Sequence, residues 1–302
     1  MKRLVNYLTL LAVLCLGSCA CKKPVRDMVG PDTPSQYKIM SFNIRYANAN
    51  DTGENNWEVR KHAIGKMIAK ELPDVVGMNE ARTAQRNDMK ALCPQYTHLE
   101  VPETGTGQGG NVTMMFLTDK FNLLESKSFY LSETPSVPSL TFGSGTQWHT
   151  CLWARLEEKA TGRSFYVFVT HLNTGSTITD INARTSSAKL IVERIKAEAG
   201  DDTTVYLLGD MNCSWAEDDA KRVSLQPFFD YGLRNARTSS MATDNVISFN
   251  GFSDKERTQK SNIDFIFYRK ATSAEFRTIT SSEYGVTYLS DHWPIVINSI
   301  VF

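Results

Sequence analysis

Short apolar segments recur along almost the whole chain, and they constrain the fold more than any other feature. At least nine have strand character, with either alternating apolar and polar residues or a short continuous apolar run. A single sheet of that size would be hard to cover, so we predict one domain with two packed sheets and helices on the outer faces. The predicted strands are residues 37–46, 74–80, 112–117, 121–131, 147–157, 164–172, 203–209, 263–268 and 293–302.

Two longer segments have helical periodicity. Asn55 or Asn56 can cap the first helix, and Pro73 ends it. The second helix is predicted over residues 180–199, where apolar residues recur on one face. No Pro/Gly/Ser-rich linker divides residues 37–302, which supports a single domain.

The first 36 residues have a different character from the rest of the chain. Lys2 and Arg3 precede an apolar run over residues 8–16, and small residues then lead to Cys19. This pattern is typical of an export signal and resembles the lipobox of bacterial lipoproteins. We therefore predict a signal peptide over residues 1–18, lipidation of Cys19, a flexible tether over residues 19–36 and a domain over residues 37–302. The alternative is an ordinary signal peptide cleaved near Ala20.

These features predict a protein of the cell envelope that a lipid anchors at the periplasmic or outer-membrane surface. No other stretch has the roughly 18 consecutive apolar residues of a membrane-spanning helix. The chain has 33 basic and 33 acidic residues, and removal of the signal peptide leaves a net charge of −2. Because nucleic-acid binding through many phosphates needs a basic surplus, a nucleic acid is possible but not favoured as partner. We expect a monomer.

The cysteines show neither a dense disulfide framework nor the spacing of a zinc site. Cys93, Cys151 and Cys213 are therefore predicted to be buried thiols. The motifs GxxxxGK[ST], HExxH and GxSxG are absent from the sequence. Their absence leaves P-loop, zincin and α/β-hydrolase functions without support.

Polar side chains that can bind a metal or move a proton occur repeatedly beside the predicted strands. Taken singly, each has an ordinary structural role, such as forming a turn or accepting a local hydrogen bond. Their repetition in this position predicts a common site where the loops meet. The residues are Asn43, Asn79, Glu80, His171, Asn173, Asp210, Asn212, Asp264, Asp291 and His292.

In this order, the segments that carry these residues resemble the motifs of the endonuclease/exonuclease/phosphatase superfamily, which has the deoxyribonuclease I-like fold. The resemblance covers residues 37–302 and implies a four-layer α/β/β/α sandwich of two mostly antiparallel sheets. Two further segments, residues 56–60 and 129–135, resemble a bacterial branch of envelope hydrolases. The motifs are SFNIRY (41–46), PDVVGMNE (73–80), THLN (170–173), LGDMN (208–212), IDFI (263–266) and SDHWP (290–294).

The resemblance also implies roles for the side chains. Glu80 would bind one or two Mg²⁺ or Mn²⁺ ions together with Asn43 and Asp291, and hard cations of this kind prefer oxygen ligands. Asp210 would activate water, and Asp264 would orient His292 as an acid or base. The remaining expected roles are phosphate contacts from His171 and Asn212, and substrate contacts from Asn79 and Asn173. Independently of the resemblance, the aromatic ring of Trp215 is a candidate substrate contact.

The predicted function is metal-dependent phosphoester hydrolysis, as a phosphodiesterase or phosphatase acting on a small phosphorylated or phospholipid substrate. Such a reaction needs charge neutralisation, hydrogen-bond donors for the transition state and an aligned water, which the predicted residues can supply. A secreted nuclease of the same mechanism is the first alternative. The second is a catalytically silent lipoprotein that binds a glycan or phospholipid in the same cleft.

Overall fold

The computed structural model describes residues 33–101, 112–143, 147–280 and 283–302. The predicted signal peptide, Cys19 and most of the predicted tether lie outside the described residues. Within the described ranges, no helix has the length and apolar character needed to cross a bilayer.

Thirteen strands within the described residues form two sheets. The first sheet has the order β10-β12-β13-β1-β2-β4-β3, and the second has the order β5-β6-β7-β8-β11-β9. Neighbouring strands are antiparallel except in the pairs β1–β2, β7–β8 and β10–β12. The bounds are β1 Ser35–Asn43, β2 Val75–Asn79, β3 Tyr96–Val101, β4 Val112–Leu117, β5 Phe121–Tyr130, β6 Thr150–Glu158, β7 Ser164–His171, β8 Thr204–Asp210, β9 Arg234–Asn235, β10 Ala242–Thr243, β11 Asp264–Arg269, β12 Thr272–Thr278 and β13 Ile295–Val301.

Helices cover the outer faces of both sheets. The Asn56 side chain accepts a hydrogen bond from the Glu58 N–H at the start of α1, and Leu72 ends this helix in the left-handed region, directly before Pro73. A reciprocal pair of hydrogen bonds between Thr177 and Asp180 caps the start of α3. The helices are α1 Trp57–Glu71, α2 Thr83–Leu92, α3 Ile178–Ala199, α4 Gln226–Asp230 and α5 Ala236–Ser239.

Three apolar clusters lie between these layers. One fills the space between the sheets and includes Ile39 and Val167. Another joins α3 to the second sheet through residues such as Ile191, and a third joins α1 to the first sheet through residues such as Ile64. Helix, sheet, sheet and helix therefore follow one another, which confirms the predicted four-layer sandwich.

Two glycines set the spacing of the strands beneath the ends of β2 and β8. A Cβ atom at Gly77 would lie 2.9 Å from a methyl group of Val169, so glycine lets the two sheets approach here. Gly209 has a φ of +149°, and a Cβ atom there would lie 1.8 Å from the Thr170 carbonyl oxygen. Each glycine precedes polar residues of the predicted site by one to three positions.

The structure differs from the predicted elements at several places. Helix α2 and strands β3 and β12 carry too few apolar residues to give a clear periodic signal. Strand β1 begins at Ser35, which pairs with Val301, so it starts inside the segment that was predicted as tether. Residues 147–149, which were predicted to begin a strand, precede β6 as an irregular segment. Cys93, Cys151 and Cys213 are buried free thiols, as predicted.

Candidate active site

The predicted site residues collect at one edge of the sandwich and come from both sheets. Asn43 ends β1, and Glu80 follows β2 of the first sheet. His171 ends β7, Asp210 ends β8 and Asp264 begins β11 of the second sheet. Asn212 lies two residues beyond β8, while Asp291 and His292 lie shortly before β13. The edge at which these strands end or begin thus brings together side chains that are far apart in the sequence.

Asp210 is the centre of this arrangement and is almost completely buried. Its Oδ2 accepts a hydrogen bond from Nδ2 of Asn43 at 3.1 Å, and its Oδ1 accepts one from the Asn212 N–H at 2.8 Å. Nε2 of His171 lies 3.5 Å from the same Oδ2, and Nε2 of His292 lies 3.7 Å from it. Burial raises the pKa of Asp210, although the two histidines oppose this shift.

A second carboxylate fixes the orientation of His292. Oδ2 of Asp264 lies 2.8 Å from Nδ1 of His292, so the other ring nitrogen faces Asp210. Burial alone would lower the pKa of His292, but Asp264 and Asp210 outweigh burial and raise it well above its usual value. Asp264, His292 and Asp210 therefore form a buried chain of alternating acidic and basic groups.

His171 and Asn212 form a neighbouring polar pair. Nδ2 of Asn212 lies 2.9 Å from Nε2 of His171 and also donates to the Leu172 carbonyl at 2.8 Å. Asn212 has a φ of 51°, which turns its side chain back towards β7. Both amide hydrogens of Asn212 are used within the protein here, so a phosphoryl oxygen beside Asp210 would have to replace one of these two acceptors to receive a hydrogen bond from Asn212.

Glu80, Asn43 and Asp291 form the part of the site that belongs to the first sheet. Oε1 of Glu80 accepts from Nδ2 of Asn43 at 3.0 Å, and Oε2 accepts from the Tyr46 N–H at 3.1 Å. Burial alone would raise the pKa of Glu80, but the charges of the histidines and these two hydrogen bonds lower it. The Arg45 guanidinium lies 3.6 Å from Asp291. Glu80 itself has a φ of 65°, in the left-handed region that residues other than glycine rarely adopt.

Two sets of acidic residues in this region can be compared as possible binding sites for a cation. Within the described residues, Asp210, Asp264 and His292 have ligand atoms within 4.8 Å of one another. However, His292 and Asp264 already bond each other there. Glu80 and Asp291 offer oxygens only, and the charge of Glu80 raises the pKa of Asp291 in addition to the effect of burial. A divalent cation would relieve this repulsion, so the chemistry of Asn43, Glu80 and Asp291 fits a hard metal ion.

Three residues predicted to contact substrate have other contacts in the structure. Asn79 is fully buried: its Nδ2 donates to the Thr170 carbonyl at 2.9 Å, and its Oδ1 accepts from the Asp210 N–H at 2.9 Å. Asn173 is also fully buried and donates to Asp180 at 3.0 Å. In this conformation both amides bond groups of the protein itself, and their contact with a substrate stays a prediction.

Trp215 lies outside the hydrogen-bonded cluster. Its ring packs against Phe229 with a centroid distance of 4.0 Å, and the Arg222 guanidinium lies 4.4 Å from its centroid. It lines a cavity of about 220 Å³ whose wall includes Asp264. A contact between Trp215 and a substrate therefore remains a prediction.

Two buried residues that support the site, His149 and Arg60, are not among the predicted site residues. The His149 ring packs edge-on against the His171 ring at 5.2 Å, and burial lowers the pKa of His149 well below its usual value. Arg60 of α1 is fully buried and donates to the carbonyls of Ile44 and Leu289 at 2.8 and 2.9 Å. An arginine inside an otherwise apolar helix face was the available signal for Arg60.

A comparison with known protein families decides the classification. The sequence profile of the endonuclease/exonuclease/phosphatase family matches residues 40–292. The chain belongs to this family. Enzymes of this family hydrolyse phosphoester bonds and generally use divalent metal ions. A comparison with curated protein sequences gave no significant match.

Solved structures of the same family share the fold over almost their whole length. A family protein from Bacteroides thetaiotaomicron is 26% identical with a TM-score of 0.79, and the match covers 89% of this chain and 99% of the other. One from Bacteroides vulgatus is 27% identical with a TM-score of 0.79, covering 89% and 100%. The mannosyl-6-phosphatase of Bacteroides thetaiotaomicron is 27% identical with a TM-score of 0.78, covering 88% and 100%.

Proposed function

We propose that this protein is a metal-dependent phosphoester hydrolase with its reaction centre at Asp210. The observation that carries the proposal is the position of the Asp210 carboxylate. It accepts a hydrogen bond from Asn43 beside Glu80, and it lies within 3.7 Å of Nε2 of both His171 and His292. One carboxylate thus lies between the proposed cation-binding residues and two imidazole rings, an arrangement that suits phosphoester hydrolysis.

Each side chain of the site has its own role in the proposed reaction. Asp210 orients a water molecule and takes its proton as the new P–O bond forms. The ester P–O bond breaks, and His292, which Asp264 holds in place, supplies a proton to the leaving oxygen. Asn212 and His171 donate to the nonbridging oxygens, where negative charge develops.

Asn43, Glu80 and Asp291 would hold Mg²⁺ or Mn²⁺. The ion, when bound, neutralises phosphate charge and polarises the phosphoryl group. The chain's own contribution is to orient the oxygen ligands: Asn43 and the Tyr46 N–H fix the Glu80 carboxylate, and the Ser290 hydroxyl donates to Oδ1 of Asp291 at 3.1 Å.

The substrate is a small phosphomonoester or phosphodiester. The mannosyl-6-phosphatase among the structural neighbours supports a monoester of a small polar group. The slightly acidic body, with a net charge of −2 without the signal peptide, weighs against a nucleic acid. We further propose that a lipid on Cys19 anchors the enzyme to the cell envelope as a monomer.

The test is hydrolysis of p-nitrophenyl phosphate and bis(p-nitrophenyl) phosphate by the purified chain with Mg²⁺ or Mn²⁺, before and after EDTA. Glu80→Gln, Asp210→Asn and His292→Ala should each lower kcat/KM by at least about 100-fold. Glu125→Gln, on the exposed face of β5, is the matched control and should retain full activity.

The result also separates the alternatives. Turnover that EDTA abolishes excludes a protein that only binds its ligand. Faster cleavage of DNA or RNA than of any small phosphoester would favour the nuclease. If the intact chain hydrolyses no phosphoester with either metal, the proposed function is wrong.

A further inference from the structure

A cavity of about 700 Å³ opens beside the segment that carries Asp291 and His292. Its walls come from loops that precede β11 and β13, together with Glu54 of the loop that follows β1. These loops belong to the same edge of the sandwich as the candidate active site. The volume lies within the range of sites for small organic ligands and far exceeds the needs of a phosphate group alone.

The cavity shares a wall with the active site. The Phe249 ring packs against the His292 ring with a centroid distance of 4.9 Å. The N–H groups of Asn250 and Gly251 both donate to the Asp291 carbonyl at 2.9 Å. A phosphoryl group near His292 would therefore have its organic substituent within reach of this cavity.

The aromatic part of the wall is a pair of stacked rings. Tyr288 and Trp293 lie 5.4 Å apart between centroids with an interplanar angle of 29°, and both are half-buried. The C–H face of a pyranose ring can pack on such a surface while its hydroxyls point to the rim. Aromatic rings give this packing at little conformational cost because they have few rotatable bonds.

The charged part of the wall is balanced. It contains the carboxylates of Glu54 and Asp254 and the cations of Lys255 and Arg257. Glu54 accepts from the Thr287 N–H at 3.0 Å, and Arg257 donates to the Asn250 carbonyl at 2.8 Å. Carboxylates and cations together can accept from and donate to the hydroxyls of a neutral polyol. A second phosphate would be repelled by the two carboxylates. An acyl chain would remove water from four charged groups, which is unfavourable.

We propose that this cavity binds the organic group of the substrate and that this group is an uncharged hexose, so that the enzyme hydrolyses hexose phosphate monoesters. The assignment rests on the proposed function and narrows its substrate class. Tyr288 and Trp293 are the specificity-determining residues, since they contact the sugar and not the reacting phosphorus.

The test compares kcat/KM for hexose 6-phosphates with that for glycerol 3-phosphate, which lacks a ring to stack. The wild-type chain should prefer the hexose phosphates. Tyr288→Ala and Trp293→Ala should each lower the hexose value by about 10-fold, mainly through KM, and leave the glycerol phosphate value within about 3-fold. Free hexose should inhibit these variants less than it inhibits the wild type.

Two control variants distinguish a folding defect from the loss of a sugar contact in the cavity. Tyr288→Phe retains the stacked ring and should retain the hexose preference. Tyr231→Ala removes a half-buried tyrosine next to the end of β11, at the opposite edge of the sandwich, and should change neither substrate. Unfolding curves for all variants show whether each one is folded.

The outcomes separate the two proposals. If no phosphoester is hydrolysed, the proposed function itself fails. If glycerol phosphate is hydrolysed but the hexose phosphates are no better and Tyr288→Ala changes nothing, only the assignment of the cavity is overturned. A preference for nucleoside monophosphates or phospholipid headgroups over hexose phosphates would overturn it as well.

Discussion

Two fully buried arginines, one in each helical layer, hold loops of the candidate active site in different ways. Arg60 of α1 donates to four backbone carbonyls: Asn55 at 2.7 Å, Ile44 at 2.8 Å, Leu289 at 2.9 Å and Arg45 at 3.4 Å. Arg184 of α3 donates only to the carbonyls of Asn173 and Gly175, at 2.8 and 2.9 Å. Nε and Nη2 of Arg184 have no hydrogen-bond partner among the described residues.

This difference shows how the part of the site on the first sheet and the part on the second sheet are each stabilised. Arg60 joins the backbone after Asn43 to the backbone before Asp291, so one side chain cross-links the segments that carry two of the proposed metal ligands. Arg184 holds only the loop after His171. On the second sheet, Asp210 and Asp264 instead occupy paired positions of β8 and β11. Burial lowers the pKa of Arg60 to about 10 and also lowers that of Arg184.

The largest expected effect is that of Arg60→Met. It leaves several buried carbonyls without a donor, so we expect the free energy of unfolding to fall by about 3 to 5 kcal/mol. Urea unfolding measures this change. Arg60→Lys keeps the charge but cannot reach the same set of carbonyls, and it should recover less than half of the loss. A loss below about 1 kcal/mol for Arg60→Met would show that the cross-link has no role in stability.

The variant Asn79→Leu tests the hydrogen-bonded connection between the two sheets. Asn79 of the first sheet bonds Thr170 and Asp210 of the second, and leucine would leave both backbone groups unpaired. We expect a loss of about 2 to 3 kcal/mol in unfolding free energy and a lower kcat at unchanged KM. Unfolding curves and steady-state kinetics check this. An unchanged kcat in the folded variant would mean that Asp210 keeps its position without Asn79.

Arg184→Met should have a smaller effect than Arg60→Met. The substitution removes two hydrogen bonds but also two nitrogens, Nε and Nη2, that lack a partner among the described residues, so we expect a loss of about 1 to 2 kcal/mol in unfolding free energy. The same urea experiment allows a direct comparison. Because the two arginines share no contact, the double variant should show additive losses, and non-additivity beyond about 0.5 kcal/mol would indicate coupling between the sheets.

The smallest expected effect concerns pH and the far end of α1. Burial alone would raise the pKa of Glu71, but the hydrogen bond and charge of Arg277 and the charge of Lys38 lower it. A lowered folded-state pKa stabilises the protein above the unfolded pKa of about 4.3, and the contribution disappears as the pH falls through the folded value. Glu71→Gln should therefore cost less than about 1 kcal/mol at pH 7 and nothing at acidic pH. Equal losses at both pH values would contradict the ion-pair explanation.

The sequence predicted the sandwich because its central strands are continuous apolar runs, such as β8, where every residue is buried. It did not predict β3, where only Tyr96 is buried. This edge strand shows no clear alternation of buried apolar and exposed polar residues. Sequence order was sufficient to propose the site residues, since parallel strands such as β1 and β2 bring Asn43 and Asn79 to the same edge.

Side-chain direction was beyond the reach of the sequence pattern. Asn79 and Asn173 are expected to contact substrate, whereas in the structure the Asn79 amide bonds two buried backbone groups and Nδ2 of Asn173 donates to the Thr174 carbonyl and to Asp180. Arg60 and Arg184 carry no motif of their own, because their partners are backbone carbonyls of any residue type. Only the tertiary arrangement of the loops gives these four side chains their functions.

Gly77 and Gly209 have a consequence for how a chain of this kind can change its substrate. They set the spacing of the strands under the residues proposed for the chemistry, and an added side-chain carbon at either position would displace a neighbouring strand. The loops around the large cavity contribute none of these strand contacts. Phe249, Asn250 and Gly251 in those loops contact the segment of Asp291 and His292, so mutations there can move the reacting groups. Mutations elsewhere in the cavity wall can alter which molecule is accepted while the distances among Asp210, His171 and His292 stay constant, and there selection can act on recognition separately from reactivity.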